Sequence, residues 1–343
     1  MMMKNMMTTF IQPDCLAKVK EFHQLFKCPV LVRPTIPSTE RCALRVSLLE
    51  EEVQELEDAI KDNNLIEIAD ALADIQYVLS GAVLEFGLGT KFCDIFMEVQ
   101  RSNMSKACSS EDEAKETQRY YLEQYKSKNT QSYIEQISDT QWFVYRQGDH
   151  KALKSINYSP ADLKPIILSS SNNDDGDNDN DDDNNVMPDS LIHVAAFHRL
   201  IQGPTLDVPT IPSQDRCVLR VNLLEEEVKE LKDAIADNDL IEIADALADI
   251  QYVLSGAVHE FGFGTKFCQL FDEVHRSNMS KACKTSEEVK LTRQHYKENK
   301  QTESYSEKIS DHQYLVYRNE DRKALKSINY SPANLRGIVT NLN

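Results

Sequence analysis

One acidic stretch occurs twice in this chain. Glu50 to Asp74 reads EEEVQELEDAIKDNNLIEIADALAD, and Glu225 to Asp249 reads EEEVKELKDAIADNDLIEIADALAD. At about 3.6 residues per turn, Glu51 and Glu55 share a helix face with Glu52 at its flank, while Glu67, Asp70 and Asp74 fall within about 60° of one another. Aliphatic residues at helical spacing accompany each acidic stripe: Leu49, Val53, Leu56 and Ile60 on the first helix, Leu65, Ile68, Ala69 and Leu72 on the second. The turn residues DNN at 62–64 make the two helices antiparallel neighbours. If the stripes meet, five or six carboxylates share one volume, where repulsion neutralises some of them unless cations are bound. Hard divalent cations suit such an oxygen-only site.

The repeat extends well beyond the acidic stretch. Residues 34–108 align with 209–283 without gaps at an offset of 175, with 61 of 75 positions identical, and the closing segments QWFVYRQGDHKALKSINYSPADL and QYLVYRNEDRKALKSINYSPANL align at an offset of 172. Between the copies lies SSSNNDDGDNDNDDDNN, which cannot bury a core and is expected to be a solvated, self-repelling linker. The expected division is a first repeat at 1–168, a linker at 169–189 and a second repeat at 190–343.

Within a copy, Asp14 can cap a helix that reaches about Phe26. CPVLVRPTIPST is extended because each proline biases its predecessor away from helix, and Ser38 or Thr39 caps the first acidic helix. The second acidic helix ends near Gly87, Lys91 to about Met104 reads as a fourth helix, and Glu111 to Lys126 as a polar one. A Ser/Gln/Thr-rich spacer then leads to strand-like alternation around a GD turn. The first ten residues show no pattern and are expected to be a disordered lead. The expected fold is all-α, with tandem four-helix bundles packed as a pseudo-dimer, because so apolar a third helix is hard to cover within one copy.

Of the formal net charge of −18, seven units sit in the Asp run at 174–183, and the remaining −11 belongs to the rest of the chain. This balance argues against non-specific binding to duplex nucleic acid or to an anionic membrane, since counterion release needs clustered Lys and Arg. An anionic substrate must then arrive with metal. No apolar run approaches the ~18 residues of a membrane span, and MMMKNMMTTF lacks a signal peptide's apolar core, so a cytoplasmic protein is expected. None of the eight cysteines forms a CxxC pair or a zinc spacing, and reduced, partly buried thiols are expected.

An acidic helix is ordinarily a solvated face. Here IEIADALADIQYVL is too apolar and alanine-rich to be exposed, so some of its acids point into protein, where unpaired carboxylates are costly. No Lys or Arg on the same faces can pair them, and metal is the economical answer. Magnesium typically binds a few carboxylates together with substrate phosphates, so the implied substrate carries a di- or triphosphate. His23 and His198 are read as satisfied core histidines. Arg45 and Arg220 either reach phosphate or pair with Glu50 and Glu225. WFVYR and YLVYR are read as a hairpin or covering segment.

LLEEEVQEL followed by ADALADIQYVL resembles the all-α nucleoside triphosphate pyrophosphohydrolases, the MazG and phosphoribosyl-ATP pyrophosphohydrolase-like group. FHQLFKCPV, VQRSNMSKA and KALKSINYSPADL resemble the matching parts of that family. The resemblance implies EExxE on one helix and ExxD on the next, binding Mg2+, with Mn2+ as an alternative, and cleavage to monophosphate and pyrophosphate. Glu51, Glu52 and Glu55 fit EExxE, as do Glu226, Glu227 and Glu230; Glu51, Glu52, Glu226 and Glu227 are the implied catalytic residues. The second element departs from the pattern. If the family's Asp precedes the apolar run it is Asp74 or Asp249, and the Glu three places earlier is Ala71 or Ala246; Glu67 and Asp70 satisfy ExxD one turn earlier. Asp70 and Asp74, with Asp245 and Asp249, are therefore taken to share the ligand role. RSNMSK supplies Arg101, Asn103 and Lys106, again as Arg276, Asn278 and Lys281, where a helix ends near the cluster. The resemblance makes them phosphate or base contacts; the alternative is a basic last turn complementing the helix dipole.

The leading expectation is a Mg2+-dependent enzyme acting on an NTP or dNTP, with two catalytic copies and an intramolecular pseudo-dimer able to dimerise further. A phosphoribosyl-ATP pyrophosphohydrolase of histidine biosynthesis and a non-enzymatic helical interaction module are the alternatives. A di-iron carboxylate bundle needs Glu-x-x-His on two helices, and neither acidic helix contains a histidine.

Overall fold

Local chemistry sets the helix ends. In the computed structural model, which describes residues 10–124, 131–148, 151–169 and 185–340, α1 (Cys15–Phe26) starts at Asp14, whose carboxylate accepts from the Ala17 amide. It stops at Lys27 in the left-handed conformation, φ 56°. After the proline-punctuated segment, α2 (Thr39–Lys61) begins at Ser38, which makes no side-chain capping bond. Asn63 turns the chain with φ 53°. Asn64 then caps α3 (Leu65–Glu85) by accepting from the Ile66 and Glu67 amides at 3.2 and 3.4 Å. Gly87, with φ 66°, ends that helix at a position where a side chain would be strained. α4 (Phe92–Met104) and α5 (Glu111–Gln124) follow.

The second copy repeats the order with α7 (Ser190–Leu200), α8 (Gln214–Ala236), α9 (Leu240–Glu260), α10 (Phe267–Met279) and α11 (Ser286–Lys300). The fold is all-α in class. One feature exceeds the expectation: the closing segment of each copy forms a small antiparallel sheet. Its strands are β1 (Ser132–Ser138), β2 (Gln141–Arg146) and β3 (Ala152–Leu153), then β4 (Ser304–Ser310), β5 (Gln313–Arg318) and β6 (Ala324–Leu325). Tyr133 stands opposite Tyr145 and Ile134 opposite Val144. Part of the expected spacer is therefore β1, hidden in the sequence by its polar alternate residues. Short helices α6 (Lys164–Leu168) and α12 (Arg336–Thr340) close the copies. Residues 1–9 of the expected ten-residue lead and residues 170–184 of the expected linker lie outside the described residues, whereas Phe10 packs on His259 with ring centroids 4.7 Å apart.

α3 explains why the copies pack together. From Ile68 to Glu85 every residue is buried except Asp70, Asp74 and Val78, which follow one another at four-residue spacing. Such a helix needs cover on nearly all sides, and one copy cannot provide it. α3 packs on α1 and α2 of its own copy and on α9 and α10 of the other; α2 meets α8, and α4 meets α9. A single hydrophobic core runs through both copies. Tyr77 stacks on Phe271 with ring centroids 5.6 Å apart, and Tyr252 on Phe96 at 5.7 Å. Burying each such large apolar side chain contributes about 1.5–3 kcal/mol, so the tandem pseudo-dimer is a hydrophobic assembly. The small sheets cross over as well. Phe143 and Tyr145 pack with Leu200 and Phe197 of the second copy, and Leu315 packs with Leu25 of the first. WFVYR thus holds the opposite copy's first helix.

Candidate active site

The stripe of α3 that escapes burial opens into a cavity. Glu67, Asp70, Asp74 and Val78 line it from α3, and Arg41, Leu44, Arg45, Leu48 and Glu52 from α2. Its volume is about 620 Å³. A counterpart of about 550 Å³ is lined by Arg216, Leu219, Arg220, Leu223 and Glu227 of α8 and by Asp245, Asp249 and Val253 of α9. We refer to these as the first and second sites, after the copy that supplies the carboxylates.

Electrostatics within each site are strained by burial and by like charge. Burial, with Asp74, Glu55, Glu51 and Asp70 nearby, pushes the Glu52 carboxyl up to about 8. Burial and Asp70 raise Asp74 to about 7, and burial and Glu67 raise Asp70 to about 6. Glu227, Asp249 and Asp245 show the same pattern at about 8, 7 and 6. Glu51, Glu55, Glu226 and Glu230 are exposed at the rim, yet their charge reaches Glu52 and Glu227. The convergence expected from the helix stripes is looser than anticipated. Among the described residues no three His, Cys, Asp or Glu side chains come close enough together to hold a metal ion. The donor set nonetheless fits a hard cation: oxygen ligands only, on two adjacent helices, with an excess of negative charge that drives protonation.

Each cavity holds arginines of its own copy, Arg41 and Arg45 or Arg216 and Arg220, but its lysines come from the other copy. The first site is completed by Ser277, Asn278 and Lys281 at the end of α10 and by Tyr330 after β6. Ser102, Asn103, Lys106 and Tyr158 complete the second. Lys281 Nζ donates to Asn278 Oδ1 at 2.6 Å and lowers the carboxyl of Asp74; Lys106 does the same through Asn103, at 2.6 Å, toward Asp249. Burial pulls both lysines below their ordinary range. Asn103 and Lys106 therefore serve Glu227 and Asp249, and Asn278 and Lys281 serve Glu52 and Asp74.

Arg101 and Arg276, expected as substrate contacts, stand outside these cavities. Arg101 Nε and Nη2 donate to Glu98 at 2.8 and 2.7 Å, and Nη2 also donates to the Pro160 carbonyl at 2.9 Å. Arg276 repeats this with Glu273 and Pro332. Bidentate carboxylate pairing uses the guanidinium to fasten the segment that carries Tyr158 or Tyr330. Glu50 and Arg45 do not pair either. Glu50 accepts from Lys232 of the second copy at 2.8 Å, while Arg45 is buried against Glu85.

Glu85 is the residue that sequence reading missed. It is fully buried and holds both Arg41 and Arg45, as Glu260 holds Arg216 and Arg220. His23 Nδ1 lies 2.9 Å from the Pro29 carbonyl and Nε2 lies 3.0 Å from Arg45 Nη2, so the satisfied-histidine reading matches its surroundings. Burial and Arg45 pull it down to about 4, leaving it neutral. Gly81 makes room for this layer, since a Cβ there would lie 2.6 Å from Arg45 Nη1 and 3.0 Å from His23 Nε2. A glycine inside α3, otherwise a cost of about 1 kcal/mol, was the available signal.

The phosphoribosyl-ATP pyrophosphohydrolase family model matches the chain twice, at residues 19–103 and 194–278. An uncharacterized protein of Acanthamoeba polyphaga mimivirus is 32% identical over 127 residues, which cover 33% of this chain and 51% of that protein. The chain thus spans about half the length of this relative. Both family matches contain a complete acidic helix pair and the RSN segment that reaches into the opposite site. The chain belongs to the phosphoribosyl-ATP pyrophosphohydrolase family, within the MazG-like pyrophosphohydrolase superfamily, as a tandem duplication of its domain.

Proposed function

We propose that this protein is a Mg2+-dependent nucleoside triphosphate pyrophosphohydrolase with two composite sites, releasing a nucleoside monophosphate and pyrophosphate. The observation that carries this reading is a cavity with clustered, half-buried carboxylates on one wall and a lysine, an asparagine and a tyrosine on the other. Glu51, Glu52, Glu55, Asp70 and Asp74 would hold the metal in the first site, and Glu226, Glu227, Glu230, Asp245 and Asp249 in the second. When bound, Mg2+ supplies Lewis acidity toward phosphoryl oxygens.

The chain's own groups do the rest. Lys281 or Lys106, fixed by its asparagine, offsets negative charge that develops on the phosphate chain. Glu52 or Glu227, raised by burial and acidic neighbours in the metal-free site, would be drawn to its charged form by a bound cation and so help to hold it. Phe22, Leu44, Leu48 and Val78 give the first cavity an apolar wall suited to a base, and Phe197, Leu219, Leu223 and Val253 do so in the second.

Incubation with a panel of NTPs and dNTPs in Mg2+ tests the reading, with pyrophosphate expected as the product. Release of orthophosphate and a nucleoside diphosphate would refute it. Oxygen-18 water distinguishes attack at the α from attack at the β phosphorus. The matching family's name favours phosphoribosyl-ATP as a second candidate substrate, and the same panel should include it.

A further inference from the structure

The two sites are alike at the carboxylates and differ one layer behind them. In the first site the Tyr77 hydroxyl lies 3.2 Å from His275 Nδ1, and the two rings stack with centroids 6.0 Å apart. His275 Nε2 in turn faces the Glu21 carboxylate at 3.6 Å. In the second site the corresponding hydroxyl, on Tyr252, donates to Gln100 Oε1 at 2.7 Å. Gln100 passes its own amide proton to the His193 carbonyl at 3.3 Å, and the position of Glu21 is Ala196. One site therefore ends in a histidine and a carboxylate, and the other in an amide and a backbone carbonyl, with His193 at the position of Lys18.

Tyr77, Asn278 and Lys281 line the same cavity, which joins this pair to the first site. Lys281 Nζ donates to Asn278 Oδ1, which leaves the Asn278 amide protons facing the Tyr77 hydroxyl; burial pushes that hydroxyl well above its ordinary value, and Asn278 offsets part of the rise. Tyr77 then donates to His275 Nδ1 while Nε2–H faces Glu21. This order holds only while Nδ1 is unprotonated. His275 stands among Glu21 and Lys18 of α1, Tyr77 of α3 and Asp272 of its own helix, with Lys18 paired to Asp272; burial outweighs the carboxylates and keeps it below its ordinary value. Once a proton binds Nδ1, that nitrogen becomes a donor and the Tyr77 proton must turn elsewhere. The acceptors that share the cavity wall with Tyr77 are Asn278 Oδ1, which already holds Lys281, and Asp74, whose charge acts on the tyrosine. Either choice disturbs the placement of Lys281 against Asp74.

We propose that His275 is a positioning residue for the first site alone, aligning Lys281 through Tyr77 and Asn278, and that the second site, with Gln100 in its place, lacks this control. The proposal takes the cavities as nucleotide sites, as in the preceding section. Its consequence is a division of labour, in which the first site weakens under mild acidity and the second keeps working.

The full-length chain provides the test, because each site can be silenced through its own carboxylates. Glu227→Gln with Asp249→Asn leaves the first site, and Glu52→Gln with Asp74→Asn leaves the second. Affinity for α,β-methylene-ATP in Mg2+ is measured on each between about pH 7.5 and about pH 4.5, a range that reaches below the ordinary histidine value because burial holds His275 down. Carboxylate titration is common to both sites and cancels in the ratio of affinities. We expect the first-to-second ratio to fall about tenfold across the range, the effect of losing one charged hydrogen bond. His275→Gln, which installs the residue found at position 100, should flatten it. A ratio that stays flat with both sites binding, or a fall that survives His275→Gln, overturns the proposal. Side-chain amide resonances of Asn278 and Asn103 in the ligand-free protein give a second readout that needs no nucleotide. Asn278 should shift with pH and lose that shift in His275→Gln, while Asn103 should show no such change on the substitution; equal behaviour of the two also overturns it. Failure of both sites to bind, with the Asn278 response intact, would sink the nucleotide reading instead.

Discussion

Gln76 Nε2 donates to Gln251 Oε1 at 2.8 Å, and Gln251 Nε2 returns the bond to Gln76 Oε1 at 2.9 Å, in the buried contact between α3 and α9. The two residues are equivalent in the repeat, so the pair marks the pseudo-twofold axis. Ser80 and Ser255 share the remaining amide protons, and Ser190 joins on one side only, where the first copy has Cys15. A reciprocal amide pair is satisfied only when both partners are present. Gln76→Leu alone should therefore destabilise the protein by about 1–3 kcal/mol through the stranded partner, while Gln76→Leu with Gln251→Leu should be closer to neutral. Urea unfolding of the four proteins in this cycle checks it; a double variant as unstable as the sum of the singles would refute the pairing argument.

Because each site borrows its lysine, the pattern of double variants differs from that of two self-contained copies. Glu52→Gln and Lys281→Met strike the same site, so the double variant should keep about half the wild-type turnover, as each single does. Glu52→Gln with Lys106→Met strikes both sites and should abolish turnover. Two self-contained copies would give the opposite assignment, which steady-state rates distinguish directly.

Glu85 carries the charge of two arginines with no exposure of its own. Removing one partner of a buried ion pair costs about 3–5 kcal/mol, because the other is left uncompensated. Glu85→Gln should thus be among the most destabilising single changes at the first site, and Arg41→Gln much milder because that side chain is about one-third exposed. Chemical denaturation compares them; equal effects would count against the buried network.

Stability should respond to pH and Mg2+ together. Glu52 and Glu227 at about 8 and Asp74 and Asp249 at about 7 lie above their unfolded values. The folded protein therefore binds more protons than the unfolded chain over that window, and stability falls as pH rises through it toward 8. His23 and His198, held down at about 4, act oppositely, but only below about 6.5 where unfolded histidine takes up protons. Between about pH 6.5 and pH 8.5 the carboxylates dominate, so the melting temperature of metal-free protein should decline across this range. Millimolar Mg2+ should raise it, most strongly at the alkaline end, by binding the folded state alone. Melting curves in EDTA and in Mg2+ that superimpose at pH 8 would sink this prediction.

By itself the sequence determined whatever depends on neighbours a few residues apart. Asp14, Asn64 and the prolines at 29, 34 and 37 mark helix boundaries through local hydrogen bonds and backbone sterics. The spacing of Glu67, Asp70 and Asp74 within an apolar helix placed the acidic wall, and the 175-residue repeat gave two of them. Tertiary structure alone decided which copy completes which site. Local periodicity says where Lys106 and Lys281 sit on their helices but not which acidic face they meet, and near-identical copies make either pairing chemically acceptable. Only the packing of α3 and α9 on opposite-copy helices resolves that choice. The same holds for Arg101, captured by Glu98 outside the two carboxylate cavities, and for Glu85, whose partners lie 40 and 44 residues away on a different helix. Such pairings are set by how helices cross, a property of the assembled core that no short stretch of chain encodes.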